Sequence, residues 1–245
     1  MKGWSLPVVC IALSALWIHC GDAAHQSVKV QQERMSTPQR NLGLRFLALG
    51  DSYTIRESVE PAGRWPVQLV ELLRKEGVAI SDPQIIATTG WTTDELAGAI
   101  AKEKPVGAFD LVSLLIGVNN QYRGRDVEEY RKEFRSLLRQ ALGFAGNKPE
   151  CVVVVSIPDW GVTPFAEGRY RKKIASEIDA FNRVNNEESV SAGVHYADIT
   201  PISRQAPDDP ALIAQDGLHP SRKMYEAWAE LLLPIVLPGL ERPVE

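Results

Sequence analysis

The chain has 245 residues, 44% of them hydrophobic and 24% charged, which is enough to bury the core of one ordinary globular domain. Its formal net charge is -4 at pH 7. This balance lacks the positive surface that nucleic acids and anionic membranes normally attract. The composition therefore argues against a nucleic-acid-binding protein and favours a small, neutral or cationic partner.

Residues 1–24 have the layout of a cleaved export signal. An apolar run over residues 6–18 is followed by small residues that include Ala23 and Ala24. We therefore expect an exported protein, periplasmic or extracellular, although a buried helix or a single membrane anchor would have a similar composition. Cys20 also leaves open a lipoprotein signal that ends just before it, with a membrane tether through its thiol.

The rest of the chain divides into a linker and one domain. Residues 25–42 are rich in Gln, Ser, Arg and Pro and show little apolar periodicity, as is typical of a solvated linker. In residues 43–245, short apolar runs alternate with runs of helical periodicity, which is the pattern of parallel strands joined by crossover helices. The strand candidates are residues 44–49, 84–87, 110–116, 151–157 and 194–199. Their nearly continuous apolarity indicates burial on both faces, so we expect a three-layer α/β/α sandwich around a parallel five-stranded sheet.

Apolar residues at helical spacing predict helices near Trp65 and Val127, and a closing helix near Tyr225. Proline lacks the backbone N–H that a helix interior needs, so we expect the closing helix to break up before the C-terminus. The prolines concerned are Pro234, Pro238 and Pro243.

The first strand candidate leads directly into a glycine, an aspartate and a serine. In a doubly wound sheet, functional groups gather where the strands end at their C-terminal edge. Gly50 allows a tight turn there, which would expose the hydroxyl of Ser52. Asp51 is adjacent to the serine, so its side chain diverges from it and is expected to hydrogen-bond the turn. Taken alone, the Asp51-Ser52 pair is more typical of a helix cap.

Hydrogen-bond donors follow two further strand candidates. Gly90 follows the second, and its backbone N–H could approach a substrate oxygen closely. Asn119 and Asn120 follow the third and offer uncharged side-chain amides. Each segment taken alone is typical of a turn or a plain loop.

Asp216 and His219 form the most specific pattern in the sequence. A carboxylate three residues before a histidine on a turn can accept the Nδ1 proton and leave Nε2 as a base, although an aspartate cap beside a surface histidine has the same spacing. No HExxH pattern and no pair of histidines at ligand spacing is present, so we expect no metal. Walker and GxGxxG patterns are also absent, so we expect no nucleotide cofactor.

These four segments, in this order, resemble the four blocks of the SGNH, or GDSL-like, hydrolase family over nearly the whole predicted domain. The resemblance implies a flavodoxin-like sheet of strand order 2-1-3-4-5 and a catalytic triad of Ser52, His219 and Asp216. It also implies an oxyanion hole formed by the backbone N–H groups of Ser52 and Gly90 and the side chain of Asn119. The implied enzyme is a serine esterase that works through an acyl-enzyme intermediate.

The sequence departs from the family pattern at two positions. Asn120 stands where the family block usually has an aspartate, which leaves open how the loop that carries Asn119 is braced. Arg56 stands where related sequences commonly have a glycine. We interpret it as a solvated surface residue, with a place at the pocket mouth that attracts anionic substrates as the alternative.

The expected substrates are small acyl or acetyl esters of a carbohydrate or a lipid, or thioesters. Trp91 and Trp160 follow strand candidates and are expected to line the pocket, as is Phe165. Aromatic walls suit both sugars and short acyl chains. A catalytically silent protein that binds a glycan or a lipid in the same cleft is the alternative function.

Overall fold

The computed structural model describes residues 1, 3, 43–55 and 60–241. Apart from two isolated positions, the predicted export signal and linker lie outside the described residues, and Cys20 lies outside them too. The same holds for Arg56. The described residues from Gly43 to Glu241 belong to one unit.

Within the described residues, five parallel strands form one sheet of strand order β2-β1-β3-β4-β5. The strands are β1 (Phe46–Gly50), β2 (Gln84–Ala87), β3 (Leu111–Leu115), β4 (Val152–Val155) and β5 (His195–Ala197). Each strand lies within a predicted run or extends beyond it by a single residue. The α/β fold with strand order 2-1-3-4-5, expected from the sequence, is confirmed.

The register of the sheet brings the ends of three strands together. Every residue of β1, β3 and β4 is buried, as expected for parallel strands covered by helices on both faces. Gly50, the last residue of β1, pairs with Ala87 on β2 and with Leu115 on β3. The segments that follow these three residues therefore begin at the same level of one sheet edge.

The α-helices of the described residues flank the sheet or follow the ends of its strands. They are α1 (Ser52–Ile55), α2 (Trp65–Lys75), α3 (Thr93–Glu103), α4 (Val118–Tyr122), α5 (Val127–Phe144), α6 (Arg171–Ala192), α7 (Thr200–Ser203) and α8 (Arg222–Leu240). Helix α2 packs against α8, where Trp65 and Trp228 are fully buried, and α5 packs against α6. In this part of the chain, none of the helices combines the length and apolarity that crossing a membrane requires.

The expectation that prolines break up the closing helix is wrong for Pro234 and Pro238, while Pro243 lies outside the described residues. Helix α8 continues through Pro234 and Pro238 and ends at Leu240. Both prolines are exposed, so water can solvate the carbonyl groups that lose their intrahelical donors. Leu232 and Val236, on the opposite side, are buried, and their packing holds the helix together.

Candidate active site

Ser52 begins helix α1 directly beyond the end of β1. The chain is closely packed where this turn begins, since a Cβ on Gly50 would lie 2.6 Å from the carbonyl oxygen of Leu115 on the neighbouring strand β3. Asp51 holds the turn: its Oδ1 accepts a hydrogen bond from the Tyr53 N–H at 3.0 Å. Its backbone carbonyl accepts from the N–H groups of the third and fourth residues after it. The sequence prediction that Asp51 braces this turn is therefore confirmed.

Burial has a marked effect on Asp51. The side chain is fully buried, and its Oδ2 atom has no hydrogen-bond partner. Removal from water disfavours the charged carboxylate and raises the pKa of Asp51 to about 7, against the weaker lowering effect of the Tyr53 N–H.

Asp216 and His219 meet in the loop that precedes α8. The Nδ1 atom of His219 lies 2.6 Å from Oδ2 of Asp216, and Oδ1 accepts from the N–H groups of Leu218 and His219 at 2.9 and 3.0 Å. The ring of Tyr53 packs against the imidazole, with the two centroids 5.5 Å apart. The imidazole is thus held at Nδ1 by a carboxylate and on one side by an aromatic ring.

One cleft contains the side chains of both Ser52 and His219. It has a volume of about 200 Å³. Its lining consists of Ser52, Tyr53, Thr89, Gly90, Val118, Asn119, Tyr122, Trp160, Phe165, Leu218 and His219. Among the described contacts, no hydrogen bond joins Ser52 Oγ to His219 Nε2. Such bonds are often long before substrate binds and tighten in the reacting complex.

Gly90 and Asn119 line the same cleft as Ser52. Gly90 has a φ of 86°, a left-handed conformation that favours glycine, and its carbonyl accepts a hydrogen bond from Arg123 at 2.7 Å. The Asn119 amide nitrogen donates to the carbonyl of Trp91 at 2.9 Å. This nitrogen carries two protons, so one N–H remains to donate into the cleft.

The side chain of Asn120 braces the segment after β3 that carries Asn119. It is fully buried, and its Oδ1 accepts from the Thr93 N–H at 3.1 Å while its Nδ2 donates to the Thr93 hydroxyl at 2.7 Å. The same hydroxyl donates in turn to the carboxylate of Glu133. A chain of hydrogen bonds therefore connects α4, α3 and α5 directly behind Asn119.

The two tryptophans expected in the pocket wall have different positions. Trp160 lines the cleft, and its Nε1 donates at 2.8 Å to Gln121, whose own amide donates to Glu177 at 2.7 Å. Trp91 is not among the residues that line the cleft, because its side chain packs partly buried against the hydrophobic core. Its carbonyl, rather than its ring, contacts the site through Asn119.

Sequence reasoning did not find Tyr122, although it lines the cleft and forms an edge contact with Trp160 at a centroid distance of 5.4 Å. A signal was present: Tyr122 follows Asn119 by three residues on helix α4, and residues at that spacing share a helix face. Gln121, which positions Trp160, had no comparable signal. In the described residues, no group of His, Cys, Asp and Glu side chains has the arrangement of a metal site.

Comparison with protein-family models places the chain among known hydrolases. Residues 48–227, well over half of the chain, match the model of the GDSL-like Lipase/Acylhydrolase family. The chain belongs to this family. The family resemblance noted in the sequence is therefore confirmed. The expected enzyme class of this GDSL-like acylhydrolase, that of a serine esterase, is confirmed as well.

Several solved structures have the same fold as this GDSL-like acylhydrolase. TesA matches with a TM-score of 0.60 at 20% identity, over 80% of this chain and 99% of TesA. The lipase/acylhydrolase from Enterococcus faecalis matches with a TM-score of 0.59 at 20% identity, over 82% of this chain and 100% of that one. Axe2, an acetylxylan esterase from Geobacillus stearothermophilus, matches with a TM-score of 0.56 at 20% identity, over 82% and 97%. At such identities the structural likeness shows the fold alone. A comparison with curated protein sequences found no match to the chain.

Proposed function

We propose that this acylhydrolase cleaves carboxylic esters with Ser52 as the nucleophile, His219 as the base and Asp216 as the orienting carboxylate. One observation carries the proposal. Ser52 and His219 come from opposite ends of the domain and line one cleft, while Asp216 contacts the other imidazole nitrogen at 2.6 Å. A base oriented by a carboxylate is what a serine hydroxyl needs to become a nucleophile at neutral pH.

The reaction proceeds in two halves. His219 Nε2 takes the proton of Ser52 Oγ as that oxygen bonds to the ester carbonyl carbon. The bond to the alcohol oxygen then breaks, and the imidazolium gives its proton to the departing alkoxide. Water next attacks the acyl-enzyme with the same base, the bond to Ser52 Oγ breaks, and the serine recovers its proton as the acid leaves. Asp216 stabilises the imidazolium throughout without taking up the proton.

An oxyanion hole would stabilise the charge on the carbonyl oxygen in both halves. The proposed donors are the N–H of Ser52, the N–H of Gly90 and the second amide N–H of Asn119. Two features support this set: all three residues line the cleft, and the first N–H groups of a helix such as α1 have no intrahelical acceptor. One such donor commonly contributes about 3 kcal/mol to the barrier reduction.

The proposed substrates carry a short acyl group, such as acetyl. A volume of about 200 Å³ is below the range of roughly 300–1,000 Å³ that is usual for pockets of drug-sized ligands. Trp160 and Phe165 give the cleft an aromatic wall that suits a methyl group or the flat face of a sugar. The acetylxylan esterase among the structural neighbours is consistent with an acetylated carbohydrate.

The test is hydrolysis of a chromogenic acetate ester by purified variants. Ser52→Ala is expected to lose at least about 1,000-fold in kcat, because the nucleophile and its acyl-enzyme are gone. Ser191→Ala, at an exposed serine on α6, is the matched control and should retain full activity. Undiminished hydrolysis by folded Ser52→Ala would eliminate the assignment.

A binding protein without catalytic activity is the second candidate. The observation in its favour is that no hydrogen bond joins Ser52 to His219 among the described contacts, so the serine is not held in contact with its proposed base. A fluorophosphonate probe discriminates between the two functions. Labelling of Ser52 requires an activated nucleophile and supports the esterase, whereas folded protein that stays unlabelled while it binds a glycan or a lipid supports the alternative.

We also propose that the protein is exported. The support is the sequence of residues 1–24 alone. Mass spectrometry of the mature N-terminus tests this: a start near Ala24 indicates a soluble exported enzyme, a lipid-modified Cys20 indicates a tethered one, and an intact N-terminus contradicts export.

A further inference from the structure

A short segment that follows Phe165 in the sequence carries four positively charged side chains, and one of them, Arg169, contacts the aromatic wall of the cleft. Residues 169–173 contain Arg169, Arg171, Lys172 and Lys173, all exposed, together with Tyr170, which is 84% exposed. We call residues 169–173 the basic segment. The guanidinium carbon of Arg169 lies 5.4, 5.4 and 5.0 Å from three aromatic ring centroids. The rings belong to Tyr122, Trp160 and Phe165, which line the cleft.

No carboxylate neutralises Arg169 within the part of the chain that the structure describes. Its guanidinium donates one hydrogen bond to another side chain, from Nη2 to the hydroxyl of Tyr122 at 3.3 Å. A guanidinium has five N–H donors, so most of them remain available to a ligand. Arg135 and Arg204, in contrast, form ion pairs: their Nε atoms lie 2.6 and 2.9 Å from carboxylate oxygens of Glu188 and Asp159, respectively.

Contacts within the fold compensate the charge of the basic segment only in part. Arg171, Lys172 and Lys173 lie in the first turn of α6, where the positive end of the helix dipole disfavours cations. Among these three, the contacts of the described residues include an ion pair for Lys173 alone, with Glu177 at 3.6 Å. Arg171 donates to the carbonyl of Thr163 at 3.4 Å. The helix dipole therefore opposes the charge of the basic segment, and the described contacts offset that charge only in part.

We propose that Arg169 determines substrate specificity by binding an anionic group, a carboxylate or a phosphate, on the part of the ester that projects from the cleft. The inference rests on the proposed esterase function and names its substrate class. The planar guanidinium matches both anions with paired hydrogen bonds. The three rings beneath Arg169 fix its orientation and remove part of its hydration, which strengthens its attraction for an anion. The remaining cations of the basic segment raise the local concentration of anionic substrate.

The test uses four phenyl acetates that differ in the para substituent: carboxylate, phosphate, carboxamide and trimethylammonium. We measure kcat/KM for the unmodified enzyme and for Arg169→Gln. For each ester, the value for the unmodified enzyme is divided by the value for the variant, which cancels differences in the intrinsic reactivity of the esters. For at least one anionic ester, this ratio should exceed the ratio for the carboxamide ester about tenfold. Arg169→Gln removes a hydrogen bond between two charged groups, and such a bond typically contributes about this factor. The excess should shrink at high salt. Arg139→Gln removes an equal charge from an exposed position on α5 that is not in the cleft lining, and it should change no ester selectively.

The two anionic esters distinguish the sources of the anion. A selective loss on the carboxylate ester supports an acidic sugar or another carboxylate, and a selective loss on the phosphate ester supports a phosphorylated group such as a lipid head group. Equal ratios for the anionic and carboxamide esters would overturn the proposal, because Arg169 would then serve only to hold the rings.

Binding separates this inference from the esterase proposal. If the unmodified enzyme hydrolysed none of the four esters, the esterase function would fail, and calorimetry would still test the anion site. In that experiment, Ser52→Ala should bind the carboxylate or the phosphate ester more tightly than the carboxamide ester. The preference should be lost in the Ser52→Ala, Arg169→Gln double variant. Equal affinities in both proteins would contradict the inference.

Discussion

At the scale of single residues, Asn119 has two N–H groups on one nitrogen atom. One N–H donates to the carbonyl of Trp91 at 2.9 Å, which fixes the amide, and the other is the proposed oxyanion donor. We expect Asn119→Ala to lower kcat by about 100-fold or more with little change in KM, because the contact to the oxyanion strengthens only in the transition state.

The matched variant is Asn119→Asp, which keeps the shape of the side chain and replaces the donor with a carboxylate. It should be at least as inactive as the alanine variant, since a negative charge beside the oxyanion destabilises it. Steady-state kinetics on a chromogenic acetate ester measures both. An increase in KM with unchanged kcat would indicate that Asn119 binds the ground state and the transition state equally, which contradicts a role in the oxyanion hole.

His219 illustrates how neighbouring residues set the chemistry of one side chain. Asp216 accepts from two backbone N–H groups with Oδ1 and contacts the imidazole with Oδ2. The first two bonds fix the carboxylate relative to its own loop. The carboxylate is therefore already in place to orient the imidazole and to stabilise its positive charge, so no rearrangement of the side chain is needed during the reaction.

At the scale of elements, three helices meet at one hydroxyl. Thr93 on α3 accepts from the Asn120 amide and donates to Glu133 on α5. An aspartate at position 120, the residue usual in the family, would need the Thr93 proton that Glu133 already receives. We therefore expect Asn120→Asp to destabilise the protein by about 1–3 kcal/mol, which chemical denaturation measures.

Reversal of the hydrogen bonds should rescue that variant. In the double variant Asn120→Asp, Glu133→Gln, the new amide donates to Thr93, and Thr93 donates to the new carboxylate. Its stability should return to within about 1 kcal/mol of the unmodified protein, with a favourable coupling energy between the two sites. Additive losses from the two substitutions would show that the three residues do not form one chain.

Helix α8 has two exposed prolines in its interior, and the buried face opposite them holds it together. A proline in a helix interior costs about 3 kcal/mol, partly offset by the restriction it places on the unfolded chain. We expect Pro234→Ala to stabilise the protein by about 1–3 kcal/mol, measured by thermal or urea unfolding. Pro210→Ala is the control, since Pro210 begins a short 3-10 helix where proline fits, and it should give no gain.

The sequence allowed the strands and the strand-end residues to be predicted, because both depend on local patterns. Continuous apolar runs identify buried parallel strands, and parallel strands bring their ends to one edge, so Ser52, Gly90 and Asn119 could be expected together. The contact of Gln121 with Trp160 joins residues 39 positions apart. It depends on how two loops pack, which no local period encodes. The burial of Leu232 and Val236 opposite Pro234 likewise decided the length of α8 against local propensity.

At the scale of the whole molecule, net charge and local charge point to different partners. The net charge of -4 favoured a neutral or cationic partner, yet Arg169 of the basic segment places a positive charge against the aromatic wall of the cleft. Salt screens exposed charges beyond about 8 Å at physiological ionic strength. A substrate at the cleft therefore interacts far more strongly with the charge of Arg169 than with the net charge of the whole chain. The position of individual charges decides whether the cleft prefers an anionic or a cationic substrate.

The buried carboxyl of Asp51 makes the stability of the whole domain depend on pH. Its pKa is raised from 3.8 to about 7 in the folded protein, because burial disfavours the charged form. Between these values the folded state holds a proton that the unfolded state has released. The contribution of this group to the free energy of unfolding is therefore largest below about pH 4 and falls as pH rises to about 7, by at most about 1.4 kcal/mol per pH unit. Asp51→Asn cannot ionise, so its stability should lack this decline, whereas Asp208→Asn, at an exposed position, should retain it. Urea unfolding of the three proteins from pH 4 to pH 8 measures the difference, and parallel curves for the unmodified protein and Asp51→Asn would show that Asp51 is charged in the folded state.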